Sequence, residues 1–144
     1  MEKKGHFSLD GRLFYIYEVP LKVNQKAERL GWTTELDRFS QLLELHHKEH
    51  RDTKFYAKLM GMRSMNLNQM VKMTFGKGVF GVVMNRMMLE AEVLLLETTM
   101  AMKEVAYELG FSELSYFSTY FKREKGMSPV EFREKSRKVK GSRK

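Results

Sequence analysis

Apolar side chains recur at intervals of three and four residues through most of this chain, and glycine repeatedly interrupts the pattern. The spacing predicts helices, because residues three and four apart share a face at 3.6 residues per turn. From Thr33 onward Leu36, Phe39 and Leu43 form a stripe, with Thr33 or Thr34 as cap and Glu35 and Asp37 in the positive first turn. A short helix follows an Asp52 or Thr53 cap, carries Phe55, Ala57, Leu59 and Met60, and ends at Gly61. Ser64 is the expected cap of the next, which turns Leu67, Met70, Val71 and Phe75 inward and leaves Met65, Asn66, Asn68, Gln69 and Lys72 outside. Residues 79–97 read as one long helix with Phe80, Val83, Met84, Met87, Met88, Ala91, Leu94 and Leu95 on its stripe. Gly78 and Gly81 weaken its start by about 1 kcal/mol each relative to alanine. The methionines are read as core packing.

The second half repeats the first. Met102, Val105, Ala106 and Leu109 share a face, Gly110 makes a tight turn, and Phe111 plugs the corner. The following helix turns Leu114, Phe117, Tyr120 and Phe121 inward, with Ser115, Ser118, Thr119 and Lys122 outside. Ala57 and Gly61 return 49 residues later as Ala106 and Gly110; Leu67, Lys72 and Gly76 return 50 residues later as Phe117, Lys122 and Gly126. The second copy thus has one extra residue near its turn. Helix, short turn and helix with a polar outer face is how a protein presents a helix to the DNA major groove. The helix between the copies would be about 28 Å long. That approaches the roughly 34 Å turn of B-DNA, so both outer helices are expected to enter successive major-groove segments. Ser128, Pro129 and Glu131 then form a capping box with proline at the first helical position. From Arg133 the tail, with seven basic residues and one acidic, reads as a frayed solvated end that adds phosphate attraction.

Residues 1–33 form an N-terminal extension in which Asp10-Gly11, between two short apolar-aromatic runs, predicts a β-hairpin. A lone hairpin is marginally stable, so structural packing or the stub of a larger domain is the favoured reading over a ligand element.

Composition narrows the function. The chain has 144 residues, 42% of them hydrophobic, enough for one domain or two very small ones. A formal charge of +8, from 26 basic and 18 acidic residues, suggests an anionic partner. Zero cysteines exclude disulfides, thiolate metal sites and a cysteine nucleophile. No apolar run reaches membrane-spanning length and the N-terminus lacks a signal-peptide core, so the expected location is cytoplasmic. His46, His47 and His50 in HHKEH satisfy a zinc-protease pattern, and two histidines four apart on a helix can share a metal. The only other histidine is His6, and the stripe reading of His46 and His50 is preferred. Neither cofactor, metal nor catalytic residue is expected.

Between residues 104 and 133 the runs A-Y-E-L-G-F, S-Y-F-S, F-K, G-M-S-P and F-R resemble the C-terminal signature of the AraC/XylS family of transcription regulators. The resemblance extends over residues 34–138, with the first helix-turn-helix at about 52–76, the linker helix at about 79–97, the second at about 102–126, and a basic tail at 139–144. It implies an all-α domain of two helix-turn-helix subdomains joined by a long linker helix. It also implies promoter recognition by both outer helices, contact with RNA polymerase, and a DNA-binding part that acts as a monomer in the bacterial cytoplasm. Larger members carry a β-barrel effector domain, for which 33 residues are too few; a stand-alone regulator, a truncated product and an excised domain all remain open.

Carried over by position, the base-facing residues would be Met65, Asn68 and Gln69 in the first copy and Leu114, Ser115 and Thr119 in the second. Asn and Gln suit adenine edges; Ser and Thr bond to either partner. Ser64 and Ser112 near helix N-termini, with Lys72, Lys122 and Arg123, would contact phosphates. Thr119 and Gln69 stand where the family often has a basic residue, and Ala101 where it has a serine or threonine cap, a loss of about 1 kcal/mol. These departures bear on affinity more than on fold and shift specificity toward the first copy. The expected function is therefore a non-enzymatic, sequence-specific regulator, the alternative being a protein-interaction or antagonist module that keeps the fold but reads DNA weakly. Replacing Gln69 by alanine is expected to change base preference, whereas Lys122→Ala weakens all sequences alike; binding titrations on a panel of duplexes separate the two, and uniform weakening by Gln69→Ala would refute its base-reading role.

Overall fold

The structure, a computed structural model, describes residues 30–142, with side chains to residue 137. The hairpin expected at Asp10-Gly11 lies outside the described residues. Seven helices follow in order: α1 (Thr33–His46), α2 (Thr53–Met60), α3 (Ser64–Phe75), α4 (Val79–Glu97), α5 (Met102–Glu108), α6 (Leu114–Lys125) and α7 (Pro129–Ser142). No strand occurs among the described residues, so the all-α expectation holds. The helices divide into two compact units, the first closing at Arg86 inside α4 and the second opening at Met87.

In the first unit the core is drawn from Leu36, Phe39 and Leu43 of α1, Tyr56 and Ala57 of α2, Leu67, Met70 and Val71 of α3, and Val79, Val82, Val83 and Met84 of α4. Helix α2 packs on α1 and on α3. Two inward assignments in this unit, Phe75 and Phe80, need correction, and the short helix α2 has a buried side of its own. Leu59 is exposed and Phe55 half-buried, while Tyr56 is fully buried. Tyr56 can occupy the core because its hydroxyl donates to the His50 carbonyl at 2.7 Å, which satisfies its one polar atom. That burial, with the nearby Asp52 charge, raises the Tyr56 pKa and keeps the phenol neutral. Thr74 replaces Phe75 in the core for the same kind of reason: its hydroxyl bonds back to the Met70 carbonyl at 2.8 Å. Phe80 is exposed, and Arg86 takes a buried place the stripe did not reserve for it. Arg86 pairs bidentately with Glu44 at 2.5 and 3.1 Å, so α4 is fastened to α1 by a charge pair that burial strengthens.

Capping also departs from expectation. Trp32 and Arg63 hold the N-cap positions of α1 and α3, with Thr33 and Ser64 the first helical residues; Asp52, one of the two caps expected for α2, does hold its N-cap, but none of the three makes a side-chain cap bond. Helix α1 stops at His46, so HHKEH straddles a helix end and does not present His46 and His50 as ligands on one helix. Both rings pack on Phe55, His50 stacked at 3.6 Å and His46 edge-on at 5.0 Å. His47 is buried, with Nδ1–H donating to the Leu43 carbonyl at 3.0 Å.

The second unit repeats the plan with Met87, Met88, Ala91 and Leu95 from α4, Val105, Ala106 and Leu109 from α5, the corner residue Phe111, and Phe117, Tyr120 and Phe121 from α6. Phe111 meets Phe117 at 5.4 Å, and Phe121 meets Phe132 of α7 at 5.5 Å, an aromatic row that bonds α6 to its neighbours. Leu114 is not inward but exposed at the start of α6. The basic tail is not frayed from Arg133: α7 continues to Ser142, and Arg133 is buried. Its guanidinium donates to the Leu95 carbonyl at 2.9 Å and the Met100 carbonyl at 2.6 Å. It thereby satisfies orphan acceptors at the end of α4 and in the turn before α5, where a positive charge is favourable. Burial, and secondarily Arg137, lowers its pKa from the usual guanidinium value. Replacing Arg133 by alanine removes both charged hydrogen bonds and is expected to cost about 2–3 kcal/mol. Urea unfolding followed by far-UV circular dichroism measures this; an unchanged midpoint would assign Arg133 no structural role.

A duplicated helix-turn-helix with two exposed outer helices

The two copies share the backbone hydrogen bonds at their turns and helix ends. At the first turn Gly61 adopts φ 67° and Met62 N–H reaches back to the Ala57 carbonyl at 2.9 Å; Gly110 adopts φ 92° and Phe111 N–H reaches the Ala106 carbonyl at 2.9 Å. This six-to-one bond across a left-handed residue is the Schellman ending of a helix, and a glycine accepts it without steric cost. Helices α3 and α6 are both 12 residues long. They start 50 residues apart and end on Gly76 and Gly126, whose N–H groups bond the Lys72 and Lys122 carbonyls at 2.8 Å. Met62 matches Phe111, while Arg63 matches Glu113, so the extra residue of the second copy is Ser112, exposed in the turn.

The two copies hold the following helix differently. In the second, Ser128 and Glu131 complete a reciprocal capping box: Ser128 N–H donates to Glu131 Oε1 at 2.9 Å and Glu131 N–H donates to Ser128 Oγ at 3.1 Å. The Glu131 carboxyl is held below its ordinary pKa by the Ser128 backbone N–H and then by its hydroxyl. In the first copy Gly78 stands at the equivalent place and offers no hydroxyl. Asn68 satisfies a different donor from α3, its Oδ1 taking the Val79 N–H at 2.9 Å; the equivalent residue in the second copy is Pro129, which has no N–H. Ala101, lacking a cap of its own, receives half a box: its N–H donates to Glu104 Oε1 at 2.8 Å.

This geometry sorts the candidate residues. On α3, Met65, Asn66, Gln69, Lys72 and Met73 are exposed, Ser64 is half-buried at the first position, and Asn68 is half-buried with its oxygen committed to α4. Asn66, an outer position, joins Gln69 on the open face that Asn68 leaves. On α6, Leu114, Ser115, Tyr116, Thr119, Lys122 and Arg123 are exposed, and Ser112 lies just ahead of them. Tyr116 was missed because its apolar ring matched neither the inward stripe nor the polar outer set; it stands edge-on to Phe111 at 5.4 Å. Arg123 lies over the Tyr120 ring at 4.7 Å, a cation–π contact that orients the guanidinium. Burial and Glu124 raise the Tyr120 pKa, and Arg123 works against them. Glu35, Trp32 and Met62 share a hollow of about 330 Å³ with Asn66 and Gln69.

A family model described as "Helix-turn-helix domain" matches residues 56–135, more than half of the chain, and spans both copies. The chain belongs to the AraC/XylS family. It is 47% identical over 49 residues to the HTH-type transcriptional activator RhaR of Enterobacter sp. (strain 638), an alignment that covers 34% of this chain and 17% of RhaR. To the HTH-type transcriptional activator RhaS of the same strain it is 31% identical over 108 residues, 75% of this chain and 31% of RhaS. The chain thus spans less than a third of the length of either curated relative. Its fold is that of the DNA-binding domain of AdpA, a global transcriptional factor crystallised with a target DNA: TM-score 0.67, 22% identity, 72% of this chain and 94% of that one.

Within this AraC/XylS domain the Asn68 cap makes a sharp energetic test. A Cβ on Gly78 would lie 2.5 Å from Asn68 Oδ1, so Gly78→Ala must displace the cap. Both Asn68→Ala and Gly78→Ala are expected to cost about 1 kcal/mol, the worth of a helix cap. In the Asn68→Ala background the obstructing amide is gone and Gly78→Ala becomes nearly neutral, a coupling that a double-mutant cycle by urea unfolding reads directly. Additive costs would mean that the two residues do not share one cap.

Proposed function

We propose that this chain is a sequence-specific, non-enzymatic regulator that binds double-stranded promoter DNA, with α3 and α6 entering successive major-groove segments. The observation that carries the reading is the pairing of two equivalent helices whose outer faces hold neutral hydrogen-bonding side chains, Asn66 and Gln69 on one, Ser115 and Thr119 on the other. An outward face with Lys72 on α3 and Lys122 and Arg123 on α6 supplies phosphate partners beside those base-facing positions. Helix α3 has no acidic residue in its first turn and no side-chain cap bond, which leaves N-terminal N–H groups near Ser64 open to phosphate; at α6 the N-cap is the acidic Glu113, so phosphate contact there falls to Ser112, Lys122 and Arg123. The formal charge of +8 favours association with a polyanion. The AdpA domain of the same fold was crystallised on target DNA, and the Rha relatives are transcriptional activators; by that likeness this chain would act on RNA polymerase at a promoter in the bacterial cytoplasm.

The role of Asn68 changes within this reading: it positions the end of α4 from the base-reading helix, and Asn66 takes its place on the groove side together with Met65 and Gln69. On α6 the groove side comprises Leu114, Ser115, Thr119 and Tyr116. The domain that folds around these helices is taken as residues 34–138, acting as a monomer. Selection from a random duplex pool, followed by affinity measurements on the selected and a scrambled duplex at two salt concentrations, tests the proposal. The expected outcome is a recurrent motif with two segments about one helical turn apart and a preference of at least ~10³ over scrambled DNA. Equal binding to all duplexes, with a steep salt dependence and nothing else, would remove the basis for specific regulation and leave the protein-interaction module.

A further inference from the structure

The open face of α3 carries a particular choice of chemistry. Met65, Gln69 and Met73 follow at i, i+4 and i+8 with Asn66 beside them; all are exposed, Met65 at 76% and Met73 at 37%. At 3.6 residues per turn these four positions fall within an arc of about 100°, and the row runs about 12 Å, the rise of three to four base pairs. No arginine or lysine stands among residues 64–71. A guanine edge presents two acceptors and is matched by a cation that donates twice, a donor this row lacks. A carboxamide donates and accepts together, which matches adenine N7 and N6. The methionine ends do neither; they are soft apolar groups that fit the thymine C5-methyl. The third carboxamide, Asn68, is withdrawn to cap α4.

We propose that the segment read by α3 is a run of A·T pairs, with Asn66 and Gln69 on adenine edges and Met65 and Met73 on thymine methyls. This rests on the DNA-recognition reading above and adds the identity of the bases. The hydroxyls of Ser115 and Thr119 on α6 bond to donors and acceptors alike, so the preference belongs to the first unit.

The test uses the full chain. Duplexes are selected from a random pool with wild type, Asn66→Ala, Gln69→Ala and Thr119→Ala, and thymine is then replaced by uracil within the segment that depends on Gln69. The expected result is an A·T segment of about three to four pairs whose selection is lost in Asn66→Ala and Gln69→Ala and kept in Thr119→Ala. Uracil lowers wild-type affinity about fivefold or more, by removing the methyl that the thioethers touch, and has no effect on the Met65→Ala/Met73→Ala double variant. All these side chains are exposed, and melting curves matched to wild type verify that each variant is folded. A Gln69-dependent segment built on G·C pairs, or one indifferent to uracil, overturns the base assignment while sequence-specific recognition stands. A pool that returns no segment overturns recognition itself, and the base assignment with it.

Discussion

The hydrogen bond from Val79 N–H to the Asn68 amide oxygen joins the outer helix of the first unit to the start of the long helix, and much of that unit's order follows from it. A helix that offers one face to a partner has only its other face for anchorage. For α3 that inner face is Leu67, Met70, Val71 and Thr74, all buried. Apolar packing resists withdrawal of the helix but is non-directional, so it constrains rotation and sliding less well than a directed bond. Asn68 adds direction. It reaches from the flank of α3 to the Val79 N–H, and Gly78 leaves the space into which the amide fits.

The second unit has no such donor to satisfy, because Pro129 stands at the place of Val79. Ser128 and Glu131 cap α7 from within its own first turn, so α6 need not donate a side chain, and Ser118 sits where Asn68 would be. Anchorage of α6 comes from aromatic contacts instead: Phe117 on Phe111 and Phe121 on Phe132. Among the described residues each unit also buries one arginine, in a different task. Arg86 binds a carboxylate across the unit, whereas Arg133 closes backbone carbonyls at the end of α4 and before α5. Duplication preserved the backbone turns and let the side-chain fastenings diverge.

Within the proposed DNA-recognition reading, that divergence bears on which copy would discriminate. In the first, the open face is carboxamide and thioether, groups with defined base partners. In the second, hydroxyls and an exposed tyrosine share the face with two charged residues, Lys122 and Arg123. The missing cap at Ala101 proves a smaller loss than a bare alanine suggests, because Glu104 still takes the Ala101 N–H.

The helical class, the two copies and their order were legible in the sequence because they rest on periodicity and on turn glycines, which are local properties of the chain. The glycines at 61, 76, 110 and 126 all adopt positive φ, as an abrupt helix end requires. The capping box at Ser128 was legible for the same reason: both partners lie within one turn. What the sequence could not decide was how polar and amphipathic residues divide between inside and outside. Tyr56, Thr74, Arg86 and Arg133 are buried because carbonyls or a carboxylate, 4 to 42 residues away, satisfy them. Phe80 and Leu114, placed inward by the pattern, are exposed. Asn68 shows the limit most clearly. Its place on an outer helix made it a base reader by position; only the approach of Val79, 11 residues on, made it a cap. Burial and hydrogen-bond partnership are properties of the assembled unit, and a pattern read one helix at a time does not contain them.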